Sequence, residues 1–364
     1  MNLPERQSLI MQTAKALRQG ISRGVWRKHL PGERVLAKQL TVCRPTVRFA
    51  LDVLEREGWI TAAHAGRNRA IIRRPRQFRK VADRRVILLY NELLHSMQFR
   101  VLSVVNALRR RLEMKGIKLD VRMYPDVKPS RMGRALQRIV DEQPASAWIL
   151  TRASLEIQQW FAGRNLPVLI NGTCYPGVAL PSFATDHRAV CRHAAGLFLG
   201  KGHRRMVMPA ARVRAAGDDE SEDEFRSALM RQRSKDVRCR ILKFDGSRRD
   251  LLLKLDELYR EWQPPVAVLC ALAAHALTVF CHARQSGLRV PEDVSIVSRM
   301  HDPMLTWTCP VISHYREDID LLEKKLSSLV LNLVDNGQLP PKDWRLVPEF
   351  EPGATVGEVP ASCW

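Results

Sequence analysis

The chain has 364 residues, with 59 Lys and Arg against 38 Asp and Glu, a formal net charge of +21 at neutral pH. That length suits two or three domains, and a hydrophobic content of 45% is enough to build real cores, which excludes wholesale disorder and fibrous or collagen-like architectures. The surplus is commonly the footprint of a polyanionic partner, and it is concentrated: residues 1–80 hold 18 basic and 5 acidic residues, net +13, leaving +8 for the rest of the chain.

In chain order, a helical pattern first covers Arg6 to Trp26, where Leu9, Ile10, Ala14, Leu17 and Ile21 share one face. Leu30-Pro31-Gly32 ends it, and Glu33 to Leu40 reads as a second helix of about two turns with Gly32 as N-cap. After a turn at Thr41-Val42-Cys43, a third helix runs from Arg44 to Glu57, with Val47, Ala50, Leu51 and Leu54 inward and Gly58 as its stop. Its other face shows Arg44 and Arg48. The apolar runs Trp59-Ile60-Thr61 and Ala70-Ile71-Ile72 flank His64-Ala65-Gly66-Arg67-Asn68-Arg69 and read as a two-stranded wing with a basic tip.

Residues Arg73 to Arg85 hold seven basic residues and one acid, a basic linker. Beyond it, apolar runs alternate with amphipathic stretches: Val86–Tyr90 then 98–115, Ile117–Met123 then 131–141, Ala147–Leu150 then 153–163, Pro167–Ile170 then 187–201. The alternation continues through Arg205–Met208, Arg238–Phe244 and Ala267–Cys270, each followed by a helical stretch. Such alternation specifies a doubly wound parallel sheet, and residues 85–364 are too many for one sheet, so two lobes are expected.

Other chemistries find little support. The eight cysteines (Cys43, Cys174, Cys191, Cys239, Cys270, Cys281, Cys309, Cys363) form no CxxC pair and no zinc-spaced cluster, so they are expected as reduced thiols in a cytoplasmic protein, with no metal and no cofactor. The N-terminus lacks the pattern of a secretory signal. The uncharged run Val266–Cys281 is shorter than the roughly 20 residues of a membrane span and reads as a buried strand followed by a helix, so no membrane partner is expected. Six carboxylates in Asp218–Glu224 read as a solvated acidic loop leading into a helix, because they lack the spacing and glycine of a calcium loop. His203 and the pair His301-Asp302 lack partners for catalysis, and Trp148, Trp160, Trp262 and Trp307 read as core or pocket wall.

Three short helices and a hairpin, with arginines on the open face of the third helix, form a winged helix-turn-helix whose third helix enters the major groove. Arg reaches guanine O6 and N7 with two parallel hydrogen bonds, Thr46 can meet a base edge or a phosphate, and Arg67 and Arg69 would follow the backbone or enter the minor groove.

The segment LPGERVLAKQLTVCRPTVRFALDVLEREGWI, from Leu30 to Ile60, resembles the signature of the GntR family of bacterial transcription regulators without a gap. The resemblance implies DNA contacts for Arg34, Arg44, Thr46, Arg48 and Gly66. Cys43 stands where the family favours a capping Ser, and Pro45 stands where it has a Thr that could bond DNA, so Pro45 occupies a DNA-facing position with altered chemistry.

The remaining chain resembles the LacI/GalR sensor domain, which has the two-lobed fold of periplasmic sugar-binding proteins. The resemblance is carried by Phe183-Ala184-Thr185-Asp186-His187, Gly202-His203-Arg204-Arg205, Glu224 to Leu229, Gly287 to Val297 and Ile312 to Arg316. The pairing of such a head and sensor is known from arabinose-responsive repressors. It implies an α/β protein: a winged helix-turn-helix at residues 1–72, a linker at 73–84, and a type I periplasmic-binding-protein-like effector and dimerisation domain at 85–364. Sugar-binding relatives carry polar residues where this chain has Leu272-Ala273, Ser221 and Met300, whereas Asp186 matches and Asn91 follows the first strand. Asn91, Asp186 and Met300 are therefore the candidate effector residues. The effector is less polar than a simple sugar, or is bound by other residues, or ligand control has been lost.

The expectation is a homodimeric regulator, a repressor, that reads double-stranded operator DNA and answers to a small-molecule effector. The alternatives are an enzyme acting on a small polar substrate between the lobes, for which no catalytic residues are identified, and an architectural DNA binder with a vestigial sensor.

Overall fold

The computed structural model describes residues 9–22, 25, 26, 28–56, 59–61, 68–72, 84–91, 99–212, 215–231, 236–360 and 363. Gly66, Arg67 and residues 73–83 of the expected linker lie outside them.

The head is built from α1 (Leu9–Ser22), α2 (Glu33–Leu40) and α3 (Arg44–Arg56). Ala14, Leu17 and Ile21 recur at helical spacing along α1 and are buried against Val47, Ala50, Leu51 and Leu54 of α3. Burying each such aliphatic chain contributes about 1.5–3 kcal/mol. The first helix stops short of Trp26 because the Val25 N–H turns back to the Gly20 carbonyl at 3.0 Å. Between α2 and α3 the chain turns at Thr41, which takes a left-handed conformation (φ +55°). The two wing segments pair through Ile60 and Ile71, and His29 adds a further bridge to Ala70.

Beyond the head the chain forms two lobes, each with one six-stranded sheet among the described residues. The first lobe takes β1 (Arg85–Tyr90), α4 (Phe99–Glu113), β2 (Lys118–Met123), α5 (Pro129–Glu142), β3 (Ala147–Thr151), α6 (Leu155–Ala162), β4 (Val168–Asn171) and β5 (Ser182–Thr185). The second takes α7 (His187–Gly200), β6 (Arg205–Ala211), α8 (Ala216–Met230), β7 (Arg238–Phe244), α9 (Arg248–Glu261), β8 (Val266–Cys270), α10 (Ala273–Gln285), β9 (Val294–Ser298) and β10 (Ser313–Arg316). The chain then returns to the first lobe for α11 (Ile319–Asn336) and β11 (Asp343–Leu346), and ends in the second with β12 (Glu349–Glu351). The sheet orders are β11-β5-β4-β3-β1-β2 and β12-β10-β9-β8-β6-β7. Among the described residues, every strand pairing is parallel except β10 with β12.

Parallel strands covered by helices on both faces are apolar almost throughout, as in β3, polar only at its last residue Thr151, and β8, the five residues of each being buried. The expected strand and helix within Val266–Cys281 are therefore β8 and the start of α10, and no helix among the described residues is long and apolar enough to cross a membrane.

The structure corrects two expectations. The acidic run is not a solvated loop: α8 begins at Ala216, and Asp218, Glu220, Glu222 and Glu224 are paired with Arg299, Arg345, Lys243 and Arg192. Carboxylates suit a helix N-terminus, and here the partners come from neighbouring strands and helices. Trp307 is not core or pocket wall; its side chain is 84% exposed.

In the turn after α7, Gly202 has φ +86°, and a Cβ there would lie 2.5 Å from the Val359 carbonyl oxygen. The adjacent His203 is fully buried, edge-on to Phe198, and burial pushes its pKa down to about 4. The unfolded chain takes up this proton near pH 6.5, whereas the folded chain resists until about pH 4. Stability should therefore fall as pH drops through that window, by about 3 kcal/mol for this group. Urea unfolding between pH 7 and pH 4.5 measures the slope, and His203→Gln should make it shallower, the buried His275 supplying a further part.

Candidate DNA-reading helix and ligand cleft

In the head, Arg34 is exposed on α2, while Arg44 and Arg48 are exposed on α3, one turn apart. Arg48 rests 3.2 Å from Glu33, but its side chain is 60% exposed, and such a surface pair is worth at most about 1 kcal/mol, so it is readily exchanged for a phosphate or base. Beside them, Pro45 and Phe49 form an apolar strip on the same open side, with Phe49 55% exposed. Sequence reasoning passed over Phe49; the signal available was a large aromatic immediately after Arg48 on the presented face, where it could meet a thymine methyl.

Thr46 and Arg69 are placed differently from expectation. Thr46 is buried, and its hydroxyl shares a 3.0 Å hydrogen bond with the Cys43 thiol, so both groups close the first turn of α3. That bond, with the Thr46 backbone N–H, holds the Cys43 thiol below its ordinary pKa. Cys43 thus does the capping work that a Ser would do. Arg69 is a latch: it lies 3.1 Å from Glu55 and 3.6 Å from Asp52, with only 11% of its side chain exposed, tying the wing to α3. Arg69→Met should lower the stability of the head by about 1 kcal/mol, seen as faster hydrogen exchange of α3 amides, whereas Arg34→Ala should leave exchange unchanged.

The sensor's cleft lies between the lobes, about 190 Å³ in volume, and is lined by residues at or just beyond the carboxyl ends of strands. Thr151 and Arg152 follow from β3, Asn171 from β4, and Arg299 and Met300 from β9. This is where open parallel sheets place ligands. The N-terminal turn of α8 forms part of the wall and meets the other lobe. A Cβ on Gly217 would come 2.9 Å from the Thr173 hydroxyl, and Arg345 of β11 grips Glu220 with two bonds of 2.8 and 3.1 Å.

Arg299 is almost wholly buried and donates to Asp218 at 2.7 Å. Burial would raise the Asp218 pKa, but the Arg299 charge and hydrogen bond outweigh it and hold it at about 2. His275, on the same wall, is pushed down to about 4 by burial, aided by the Arg299 charge, and is neutral at physiological pH. Arg152 faces from the other lobe with a left-handed backbone, φ +54°.

Comparison with known proteins accounts for both parts. Residues 9–67 match the model of the "Bacterial regulatory proteins, gntR family", and residues 195–356 match the "Periplasmic binding protein-like domain". The chain thus pairs a GntR-type match at its head with a periplasmic-binding-protein-like match in its two-lobed part. Its fold is shared with a LacI family transcriptional regulator from Bifidobacterium animalis subsp. lactis (TM-score 0.65, 19% identity, 76% of this chain and 99% of that one). The lac repressor dimer bound to operator and an anti-inducer gives TM-score 0.65 at 18% identity over 75% of this chain and 94% of that one. The regulator CelR in complex with cellobiose gives 0.64 at 16% identity over 90% of this chain and all of that one. No curated protein matches the chain.

Of the three candidate effector residues expected from the sequence, Met300 lines the cleft. Asp186 instead caps α7, its Oδ1 accepting the Ala189 N–H at 3.0 Å, and Asn91 is exposed; neither belongs to the lining. Leu272 lines the wall, and Ser221 is spent on a bond to the Gly217 carbonyl. Arg152 and Arg299 were missed. The signal for both was a single Arg directly after an apolar strand, at Trp148-Ile149-Leu150-Thr151-Arg152 and Val294-Ser295-Ile296-Val297-Ser298-Arg299.

Proposed function

We propose that this protein is a sequence-specific transcription regulator, a repressor, whose hold on operator DNA is set by a small-molecule effector bound between the sensor lobes. The observation that carries this reading is the coexistence in one chain of a GntR-type head with open arginines on α3 and a two-lobed, periplasmic-binding-protein-like part whose inter-lobe cleft carries Arg152 and Arg299. Residues 1–72 form the head, 73–84 a basic linker and 85–364 the sensor, which also pairs two copies so that two heads reach the half-sites of a pseudo-palindrome. The protein acts in the cytoplasm. Arg34, Arg44, Arg48, Pro45 and the wing residues Gly66 and Arg67 face DNA, with phosphate neutralisation adding sequence-independent affinity. Structures of relatives bound to operator and to cellobiose are consistent with both halves of the reading. Effector-driven closure of the cleft would change operator affinity by a coupling free energy of about 1–3 kcal/mol. No enzymatic step is proposed.

The test is selection of genomic fragments by the purified protein at about 150 mM salt, where counterion release suppresses non-specific binding. A two-fold symmetric motif is expected. Arg44→Ala should weaken binding to that motif by roughly 5- to 150-fold, the span of about 1–3 kcal/mol for a base contact, with the fold intact by circular dichroism. Even binding across all fragments would sink the reading and leave the head as an electrostatic anchor.

A further inference from the structure

The cleft carries more cationic donor capacity than the protein itself uses. Arg299 is 3% exposed; its Nη2 is taken by Asp218, while its Nε and Nη1 are buried without a hydrogen-bond partner of good geometry among the described residues, the Cys191 thiol beside Arg299 being only a weak acceptor. Leaving donors of a buried cation unsatisfied is costly, and native proteins rarely do so without a use. On the facing lobe, the Nε of Arg152 is likewise buried and unpartnered among the described residues, and the Arg152 charge acts on the same Asp218. Two guanidinium groups from opposite lobes thus converge on one carboxylate.

The acids of the lining do not offset the surplus, and a further carboxylate beside it, Glu317, lies outside the lining and accepts from Thr185. Glu222, the second acid of the lining, is engaged by Lys243. The Cys191 thiol beside Arg299 is pushed up to about 11 by burial and stays neutral, as does His275. The left-handed backbone of Arg152 is a second mark of a functional position, since non-glycine residues hold such a conformation where surrounding structure imposes it. A neutral polyol could accept some of these hydrogen bonds, but it would leave the extra positive charge uncompensated in a confined site. A phosphate or carboxylate fits the planar donor fork of Arg and compensates the charge.

We infer that the cleft takes a small molecule bearing an anionic group, a phosphate ester or a carboxylate, which sits between Arg152 and Arg299 and collects their unused N–H donors. The rest of the molecule lies along the polar strand ends of the first lobe, at Thr151, Asn171 and Thr173. This inference rests on the effector reading above and names the chemical class of that effector. Because the anion touches both lobes, it favours the closed arrangement over any more open one.

The experiment is thermal melting of the full chain with four probes at constant ionic strength: inorganic phosphate, glucose 6-phosphate, glucuronate and glucose. Each is run on the wild type, on Arg152→Asn, which keeps a residue tolerant of the left-handed backbone, and on Arg44→Ala/Arg48→Ala, which removes anion attraction by α3. The expected result is a rise of about 2–4 °C with phosphate and with an anionic sugar at roughly tenfold over Kd, and no rise with glucose. The rise should persist in the head variant and vanish in Arg152→Asn; the larger of the glucose 6-phosphate and glucuronate shifts identifies the anion. Arg299→Met would remove the partner of Asp218 and could unfold the lobe, so Arg152→Asn is the deciding variant. A glucose shift equal to that of glucose 6-phosphate and insensitive to Arg152→Asn overturns the anion while leaving a neutral effector in place. An anion shift lost in the head variant overturns it too, because the anion then sits on the DNA-binding surface. No shift from any probe overturns both the anion and the effector reading.

Discussion

Both sensor sheets direct the carboxyl ends of their parallel strands at the same gap, and the rest of the molecule is arranged around that constraint. A parallel sheet requires each strand to leave by a crossover, so the residues just past β3, β4, β6, β8 and β9 are delivered to one cleft whatever their side chains are. The chemistry placed there includes Arg152 from one lobe, Arg299 from the other, and the apolar Leu272 and Met300. The short acidic stretch at the start of α8 organises that chemistry. Asp218 holds Arg299, Glu220 reaches across to Arg345 of the first lobe, and Glu222 and Glu224 are satisfied within the second. One helical turn therefore serves as ligand wall and as lobe clasp.

The head solves a smaller problem with few residues. Among the described residues, eleven buried apolar side chains form its core, and α3, the helix proposed to face DNA, is steadied at both ends. Cys43 and Thr46 close its first turn, and Arg69 clamps its later turns to the wing through Glu55 and Asp52. Arg44 and Arg48 are left outward on a rigid support, which would lower the ordering cost of the base contacts proposed for them.

Much of this was legible in the sequence. The strand and helix alternation from Val86 to Gln285 appears in the structure nearly element for element, because doubly covered strands are continuously apolar and crossover helices are strongly amphipathic. β11 and β12 were not legible: they are short edge strands carrying Asp343, Arg345, Glu349 and Glu351, and only a pairing partner far away in the chain makes them strands. The acidic run was misread because charge density alone looks like solvation, whereas its partners Arg299 and Arg345 lie about 80 and 125 residues further on. The candidate site was legible for Arg34, Arg44 and Arg48, whose exposure follows from helical phase. It was not legible for Arg69, whose acidic partners sit a helix away, nor for the cleft arginines, because family resemblance directed attention to the positions where polar residues had been lost.

The three passages of the chain between the lobes, after β5, β10 and β11, mean that neither sheet is built from one stretch of sequence. The first sheet is complete only when β11 pairs with β5, joining Asp343 to Ser182, and the second only when β12 pairs with β10. The head, in contrast, is contiguous and rich in local contacts. On a ribosome the head therefore folds before the two lobes, which close only once β11 and β12 have been made. A truncated product would emerge with a competent head and no finished sensor: a DNA binder that answers to nothing.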